Sequence, residues 1–279
     1  MAAPTTSLLV TTYNWPEALE LVLRSVLRQR VRPGEVVIAD DGSGPPTAAV
    51  VRALTPPLEA AGIGVVHAWH PDDGQRAAEV RNLGLARARG DYVLQVDGDC
   101  VLTPDFVATH VAFARPGSFV QGSRVMVDAE RTARAIAARD PVFRLTDRGL
   151  KSRQNALNLP FLRRFAPSPQ HSMRYTRGAN MAYWRADALR VNGYDTRMVG
   201  WGGEDIDFTA RLMALGLVRR RLKFGAGVFH LHHTPRSRDR SDANHAMHDE
   251  TVRSRRWWTP HGIVASAVPP DDDRVPSGG

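Results

Sequence analysis

The chain has 279 residues, 43% of them hydrophobic and 24% charged, with a net charge of +8. That composition suits a folded globular protein with its own core and excludes a largely disordered chain. No apolar run approaches the roughly 18–20 residues that span a bilayer, and a single cysteine, Cys100, excludes an internal disulfide and a cysteine-built zinc site.

Residues 7–12 form the first β-rich apolar run. The chain enters it directly, without a basic region and a longer hydrophobic stretch, so no secretory leader is expected and a reducing, cytoplasmic setting fits. Residues 16–30 place Leu19, Val22, Leu23, Val26 and Leu27 on one helical stripe, with Pro16 suited to the first turn. A second buried strand over 35–39 closes on Asp41-Gly42-Ser43. A short helix over 48–54 and a strand over 64–69 follow, then a helix over 79–89 and a strand over 91–96 that ends in Asp97-Gly98-Asp99. This alternation predicts right-handed βαβ units and a mainly parallel sheet covered on both faces. In such sheets ligands bind beyond the carboxyl ends of the strands.

A helix over 104–114 and a strand over 119–127 come next, after which the pattern loosens. Residues 128–175 hold a helix near 131–139, then a stretch with Pro, Arg and Asn whose 157–165 portion interleaves apolar and basic residues. Regular signals return at 178–182, 186–191 and 204–215, with a last strand over 225–230. Polar residues dominate from Thr234, and 269–279 reads as a disordered tail. The positive charge is arginine, and residues 131–177 concentrate it, with 11 basic side chains against two acidic ones. Such a patch faces a polyanion (nucleic acid, anionic lipid or an acidic substrate) or is a solvated arginine-rich surface.

The strand ends carry the chemistry. Asp97 and Asp99 lie two apart on extended chain and share a side, with Gly98 between them to admit a close neighbour, a set suited to a hard divalent cation beside a diphosphate. Thr11-Thr12-Tyr13-Asn14 and Asp40-Asp41-Gly42-Ser43 end the first two strands. There an Asp can accept from a nucleobase or a ribose hydroxyl and Tyr13 can stack on a base, though these are also ordinary turn and cap residues. Arg76 and Arg81, at the start of the 79–89 helix, can reach a phosphate or stay solvated. Trp201-Gly202-Gly203-Glu204-Asp205 is the most informative run: two glycines permit an unusual backbone, and an acidic pair opens a helix. Placement in a first helical turn predicts an Asp205 carboxylate that stays ionised at neutral pH. Asp207 with Arg211 reads as an i,i+4 pair. After the last strand, His230-Leu231-His232-His233 offers imidazoles at i and i+2, one of which can join Asp97 and Asp99. Trp257-Trp258 reads as an anchor packed on the domain.

Together these motifs resemble the GT-A-fold glycosyltransferases of family 2, bacterial and inverting. Residues 8–113 look like that family's nucleotide-binding half, through Thr11–Asn14, Asp40–Ser43, Arg81-Asn82-Leu83-Gly84-Leu85 and Asp97-Gly98-Asp99. Residues 177–233 look like the acceptor half shared with galactosyl- and N-acetylgalactosaminyltransferases, chondroitin-type polymer synthases included, through Gly193-Tyr194-Asp195, Trp201–Asp205 and the histidine. The basic span 131–175 has no counterpart. The resemblance implies an α/β, Rossmann-like GT-A domain over 1–233: a nucleotide-sugar half (1–127), a basic insert (128–176) and an acceptor half (177–233), with a polar extension over 234–279.

It further implies roles. Thr11, Tyr13 and Asp41 would hold uridine, Arg76 or Arg81 the ribose or phosphate, and Asp97 with Gly98 the ribose or metal. Asp99 and His230, with His232 as the alternative, would bind Mn2+ or Mg2+. Gly178 and Asn180 would line the donor sugar, Trp201, Gly203 and Glu204 the acceptor, and Asp205 would be the base. The expected partners are a UDP-sugar, a glycan or lipid-linked saccharide and an anionic membrane surface at the inner face of the cell membrane, with no nucleic acid. Two competing readings are an arginine-rich binding protein on a degenerate nucleotide-binding scaffold and a nucleotidyltransferase, which would leave residues 201–205 unexplained.

Overall fold

In the computed structural model, which describes residues 3–165, 178–234 and 240–264, strand β1 (Thr6–Thr12) is buried along almost its whole length. Leu8 and Val10 enter one apolar cluster and Leu9 another, as in a strand covered on both faces. Helix α1 (Pro16–Leu27) begins on its proline, where a missing N–H costs nothing. Strand β2 (Glu35–Asp40), α2 (Pro45–Ala60), β3 (Gly64–Trp69), α3 (Ala77–Arg87) and β4 (Tyr92–Asp97) complete the expected alternation. β1 pairs in parallel with β2 and β4, and β2 with β3. The register sets Thr11 beside Asp97 and Thr12 beside Asp40, so the candidate site residues share one edge.

The chain continues through β5 (Cys100–Leu102), α4 (Phe106–Phe113), β6 (Ser118–Gln121), β7 (Arg124–Val127), α5 (Ala129–Ala138) and β8 (Leu150–Lys151). Two 3-10 turns, Arg153–Ala156 and Pro160–Phe165, precede β9 (Asn180–Trp184) and α6 (Arg185–Arg190). Then come α7 (Glu204–Ala214), β10 (Val218–Arg221), β11 (Val228–His230) and α8 (Ser241–Ser254). The main sheet runs β10-β6-β9-β4-β1-β2-β3, with β9 antiparallel to both neighbours, and a second sheet runs β5-β11-β7-β8.

Four elements differ from the sequence expectation. The strand expected over 119–127 is two strands in different sheets. The break falls at Gly122, where a side chain would collide with the Asn180 carboxamide. The second helix runs well past residue 54, because fully buried Leu58 docks a last turn that Pro56 and Pro57 do not interrupt. The last strand starts only at Val228, after Ala226 takes a positive φ of 49°. The polar stretch after Thr234 contains α8, which packs on α7. Trp258 is buried, as an anchor should be.

Several arginines of the basic span are paired within the chain, most of them at its surface. Arg131 pairs with Asp147 at 3.0 Å, Arg134 with Glu130, Arg139 with Glu20, and Arg153 donates to the carbonyls of Leu150 and Leu145. Its remainder over 166–177 and the expected tail over 269–279 lie outside the described residues. No helix among the described residues is long and apolar enough to cross a membrane.

Candidate active site

The edge formed by β1, β2 and β4 opens into a cleft of about 600 Å3, lined on one side by Thr11, Tyr13, Asp41, Asp97 and Asp99 and on the other by Trp201, Glu204 and Asp205. Asp41 is buried at the end of β2: its N–H donates to the Thr12 carbonyl, and its carboxylate accepts the Arg76 N–H at 3.0 Å and faces His70 Nε2 at 3.1 Å. The Tyr13 hydroxyl donates to Asp72 at 3.0 Å. Asn14, at a φ of 44°, accepts from the Gly44 N–H through its side chain while its own N–H donates to Ser43 Oγ, which latches the two loops together.

Asp97 and Asp99 flank a tight turn between β4 and β5. The Gly98 N–H donates to the Thr11 carbonyl at 2.7 Å, and a Cβ there would stand 3.0 Å from Thr11 and Thr12. The glycine therefore serves the approach of β1's own backbone. Asp97 turns to Arg81, 3.4 Å away. Asp99 turns to two histidines, with Nε2 of His230 at 3.7 Å and Nε2 of His233 at 3.4 Å. Ligand atoms of Asp99, His230 and His233 all lie within 4.8 Å of one another. One carboxylate and two imidazoles form a donor set that suits a first-row divalent ion.

His232 and His233 are both exposed and both line the cleft, and the imidazole of His233 is the one that stands near Asp99, at 3.4 Å. The i, i+2 rule holds only along extended chain, and β11 ends at His230.

Arg81 forms the centre of the charged cluster. It is buried, and its guanidinium stands 2.8 Å from Glu204, 3.3 Å from Asp205 and 3.4 Å from Asp97. Burial alone would favour its neutral form, but the charges of Asp205 and Glu204 outweigh that and hold it firmly protonated. It is thus a clamp on three carboxylates rather than an arm free for phosphate.

Asp205 accepts the Gly178 N–H on Oδ2 at 2.8 Å, while Oδ1 accepts no hydrogen bond among the described residues. Burial raises its pKa to about 7; Glu204 and Asp97 push the same way, and Arg81 and the Gly178 N–H oppose them. The expectation of an Asp205 fully ionised at neutral pH is therefore corrected. A helix terminus adds a modest stabilisation, and the lost hydration of a buried carboxylate exceeds it.

Beneath the cleft, Asn82 donates to the Tyr194 carbonyl and accepts its N–H, which ties α3 to Gly193-Tyr194-Asp195. Gln95 accepts the hydroxyls of Tyr183 and Tyr194, both at 2.7 Å. The expected pair of Asp207 and Arg211 is present at 2.8 Å, fully buried, with Arg211 also donating to the carbonyls of Val191 and Gly193.

Two expected donor residues are not brought to the cleft. The Arg76 guanidinium turns to Glu79, Asp73 and the Pro71 carbonyl, leaving only its backbone N–H to the site. The buried Asn180 side chain donates to the carbonyls of Ser123 and Ala226 and meets His110 Nε2 at 3.0 Å. It pins the place where the chain passes between sheets. His70, His233 and Asn82 in these roles escaped sequence reasoning, because loop and helix geometry, not spacing, brings them together.

Residues 7–178 match the model of glycosyl transferase family 2, and residues 162–234 that of the N-terminal domain of galactosyltransferase. The hyaluronan synthase of Pasteurella multocida is 24% identical over 292 residues, covering 96% of this chain and 28% of the synthase. The chondroitin synthase of Escherichia coli is 26% identical over 247 residues, covering 80% of this chain and 34% of the synthase. The chain thus spans about a third of these relatives or less. The solved structure of GalNAc-T7 with UDP, GalNAc and Mn2+ shares the fold at a TM-score of 0.61 and 16% identity, over 83% of this chain and 44% of that one.

Proposed function

The chain belongs to glycosyl transferase family 2 and has the GT-A fold, and from that premise we propose that it moves a galactose-, N-acetylgalactosamine- or glucose-type sugar from UDP to a hydroxyl of a glycan or lipid-linked saccharide, with inversion, in the synthesis of a cell-surface polysaccharide. One observation carries the reading. A single cleft holds both the cation-type set of Asp99, His230 and His233 and a carboxylate, Asp205, that Arg81 and the Gly178 N–H keep in place. Support comes from the polysaccharide synthases among the relatives and from the UDP and Mn2+ in the GalNAc-T7 structure.

The donor set fits a divalent ion on chemical grounds: Nε2 of buried His230 and Nε2 of His233 both face Asp99, and the ligand atoms of the three lie within 4.8 Å of one another. Mn2+ or Mg2+ held there supplies charge neutralisation for the departing diphosphate. Thr11, Tyr13 and Asp41 hold the uridine at the strand ends, and Asp97 with Gly98 meets the ribose. Gly178 and Arg81 fix Asp205, whose carboxylate takes the proton of the acceptor hydroxyl as its oxygen attacks the anomeric carbon from the face opposite UDP. A base with a pKa near 7 is matched to this task at neutral pH. Trp201, 39% exposed at the cleft mouth, offers a ring face to the acceptor sugar, with Gly203 and Glu204 beneath it. Phe161 and Leu145 stand exposed on a segment that also carries exposed Arg144, Arg148 and Arg153, a surface suited to anionic headgroups where the acceptor is lipid-linked.

The test is UDP release from a panel of UDP-sugars with Mn2+ or with EDTA. Metal-dependent release that Asp99→Ala abolishes is expected. Full turnover in EDTA overturns the metal assignment. Pyrophosphate release from UTP would indicate a nucleotidyltransferase, and absence of any release a binding protein.

A further inference from the structure

We propose that Asn244, on the C-terminal helix α8, is a positioning residue for the catalytic segment over 200–205, so that the stretch beyond both family matches is part of the transferase apparatus. The proposal rests on the assignment of residues 201–205 to the acceptor and base, and deepens it.

The segment has little of its own to hold it. Gly200, Gly202 and Gly203 have φ values of 80°, 90° and 98°, a left-handed backbone that suits glycine and forms no regular ladder. Gly203 caps α7 without a side chain to accept the first helical N–H groups. The Gly200 N–H donates to the Gln75 carbonyl, and Arg81 and the Gly178 N–H hold Glu204 and Asp205; the anchors of the glycine turn between them arrive from α8. The Asn244 side-chain amide donates to the Gly202 carbonyl at 2.7 Å and to the Val199 carbonyl at 3.1 Å. One carboxamide thereby bridges both sides of the Gly200-Trp201 step.

Packing agrees with the hydrogen bonds. A Cβ at Gly203 would lie 2.6 Å from Asn244 Cβ, and one at Gly200 would lie 3.0 Å from Arg240 Cβ. The glycines are needed at least in part because α8 presses against them. Asn244 is 2% exposed on a helix whose other buried residue is Thr251. The helix therefore docks through recognition of carbonyls, with no broad apolar stripe. A second latch follows α8: Thr259 Oγ1 donates to Asp195 at 2.7 Å, and Asn192 donates to the carbonyls of Thr259 and Val264. The C-terminal stretch so grips both acceptor-side motifs, Gly193-Tyr194-Asp195 and residues 201–205.

The chemistry singles out asparagine. Two donors on one planar group satisfy two buried carbonyls. Aspartate has the same shape but no donors, and it sets a negative charge against those carbonyls. Loss of the bridge lets residues 200–205 shift, and displacement of a catalytic group by about 1 Å costs on the order of a hundredfold in rate.

Asn244→Ala and Asn244→Asp in the full chain test this, with calorimetric UDP binding in Mn2+ counting intact donor sites. The expected result is unchanged UDP affinity, a kcat per UDP-binding site lower by about tenfold or more, a raised acceptor KM, and faster amide exchange confined to residues 199–205. A loss of kcat only in step with lost UDP sites, or full kcat with normal exchange, overturns the proposal. If Asn244→Ala fails to fold, Asn244→Ser, which keeps one donor, is read the same way. If the wild type transfers no sugar at all, the functional assignment falls, while the exchange pattern still decides whether Asn244 holds the segment.

Discussion

On the donor side of the cleft, Thr11, Asp41 and Asp97 sit at the ends of strands whose ladders fix their places, whereas on the acceptor side residues 201–205 owe their position to side chains from elsewhere in the chain. Arg81 reaches Glu204 across 123 residues of sequence, and Asn244 arrives from beyond the last strand. The two sides are also charged differently. Asp41 is met by a backbone N–H and an imidazole, while Glu204, Asp205 and Asp97 share one buried guanidinium. Under the proposed assignment the ladder is the nucleotide platform, and the shared cation ties the base to the donor half by charge.

The largest effect that separates the two sides should come from Arg81→Met. Removing one partner of a buried ion pair costs about 3–5 kcal/mol because the remaining charges are left uncompensated. Here three carboxylates remain, so a lower thermal midpoint and a collapse of transfer are expected. Arg76→Met, whose partners Glu79 and Asp73 are largely solvated, should cost about 0–1 kcal/mol and leave UDP affinity intact. Denaturant melts of both variants beside UDP calorimetry make the comparison, and equal effects would erase it.

A smaller effect concerns pH. The folded pKa of Asp205 is raised, so below about pH 4 both states hold the proton and Asp205 contributes nothing to pH dependence. As pH rises toward about 7 the unfolded chain releases that proton first, and wild-type stability falls. Asp205→Asn removes this slope. Metal-free denaturation should show the variant gaining on wild type between pH 5 and pH 8; a gain at pH 5 that vanishes by pH 8 would reverse the sign.

The difference between the two sides also explains what the sequence disclosed. Buried runs such as residues 35–39 and the Asp97-Gly98-Asp99 strand end are local signals, and the parallel sheet with its edge of site residues follows from them. The break at Gly122 is not local, because it depends on Asn180, which lies 58 positions on. His233 was hidden for a similar reason, since strand parity lapses once β11 ends. The groups that crowd Asp205, Gly178 and Arg81, come from elsewhere in the sequence, and first-turn helix electrostatics do not report them. Helix α8 has a polar sequence and docks through Asn244, so hydrophobic periodicity has nothing to detect.

The most direct test of the central claim is the transfer rate of Asp205→Asn at saturating donor, measured beside its calorimetric affinity for UDP and Mn2+. Asparagine keeps the shape and cannot accept the proton. Intact UDP and Mn2+ binding is expected, with transfer reduced by roughly 100-fold or more, the scale of a missing general base. Transfer near the wild-type rate would contradict the claim and pass the role of base to Glu204.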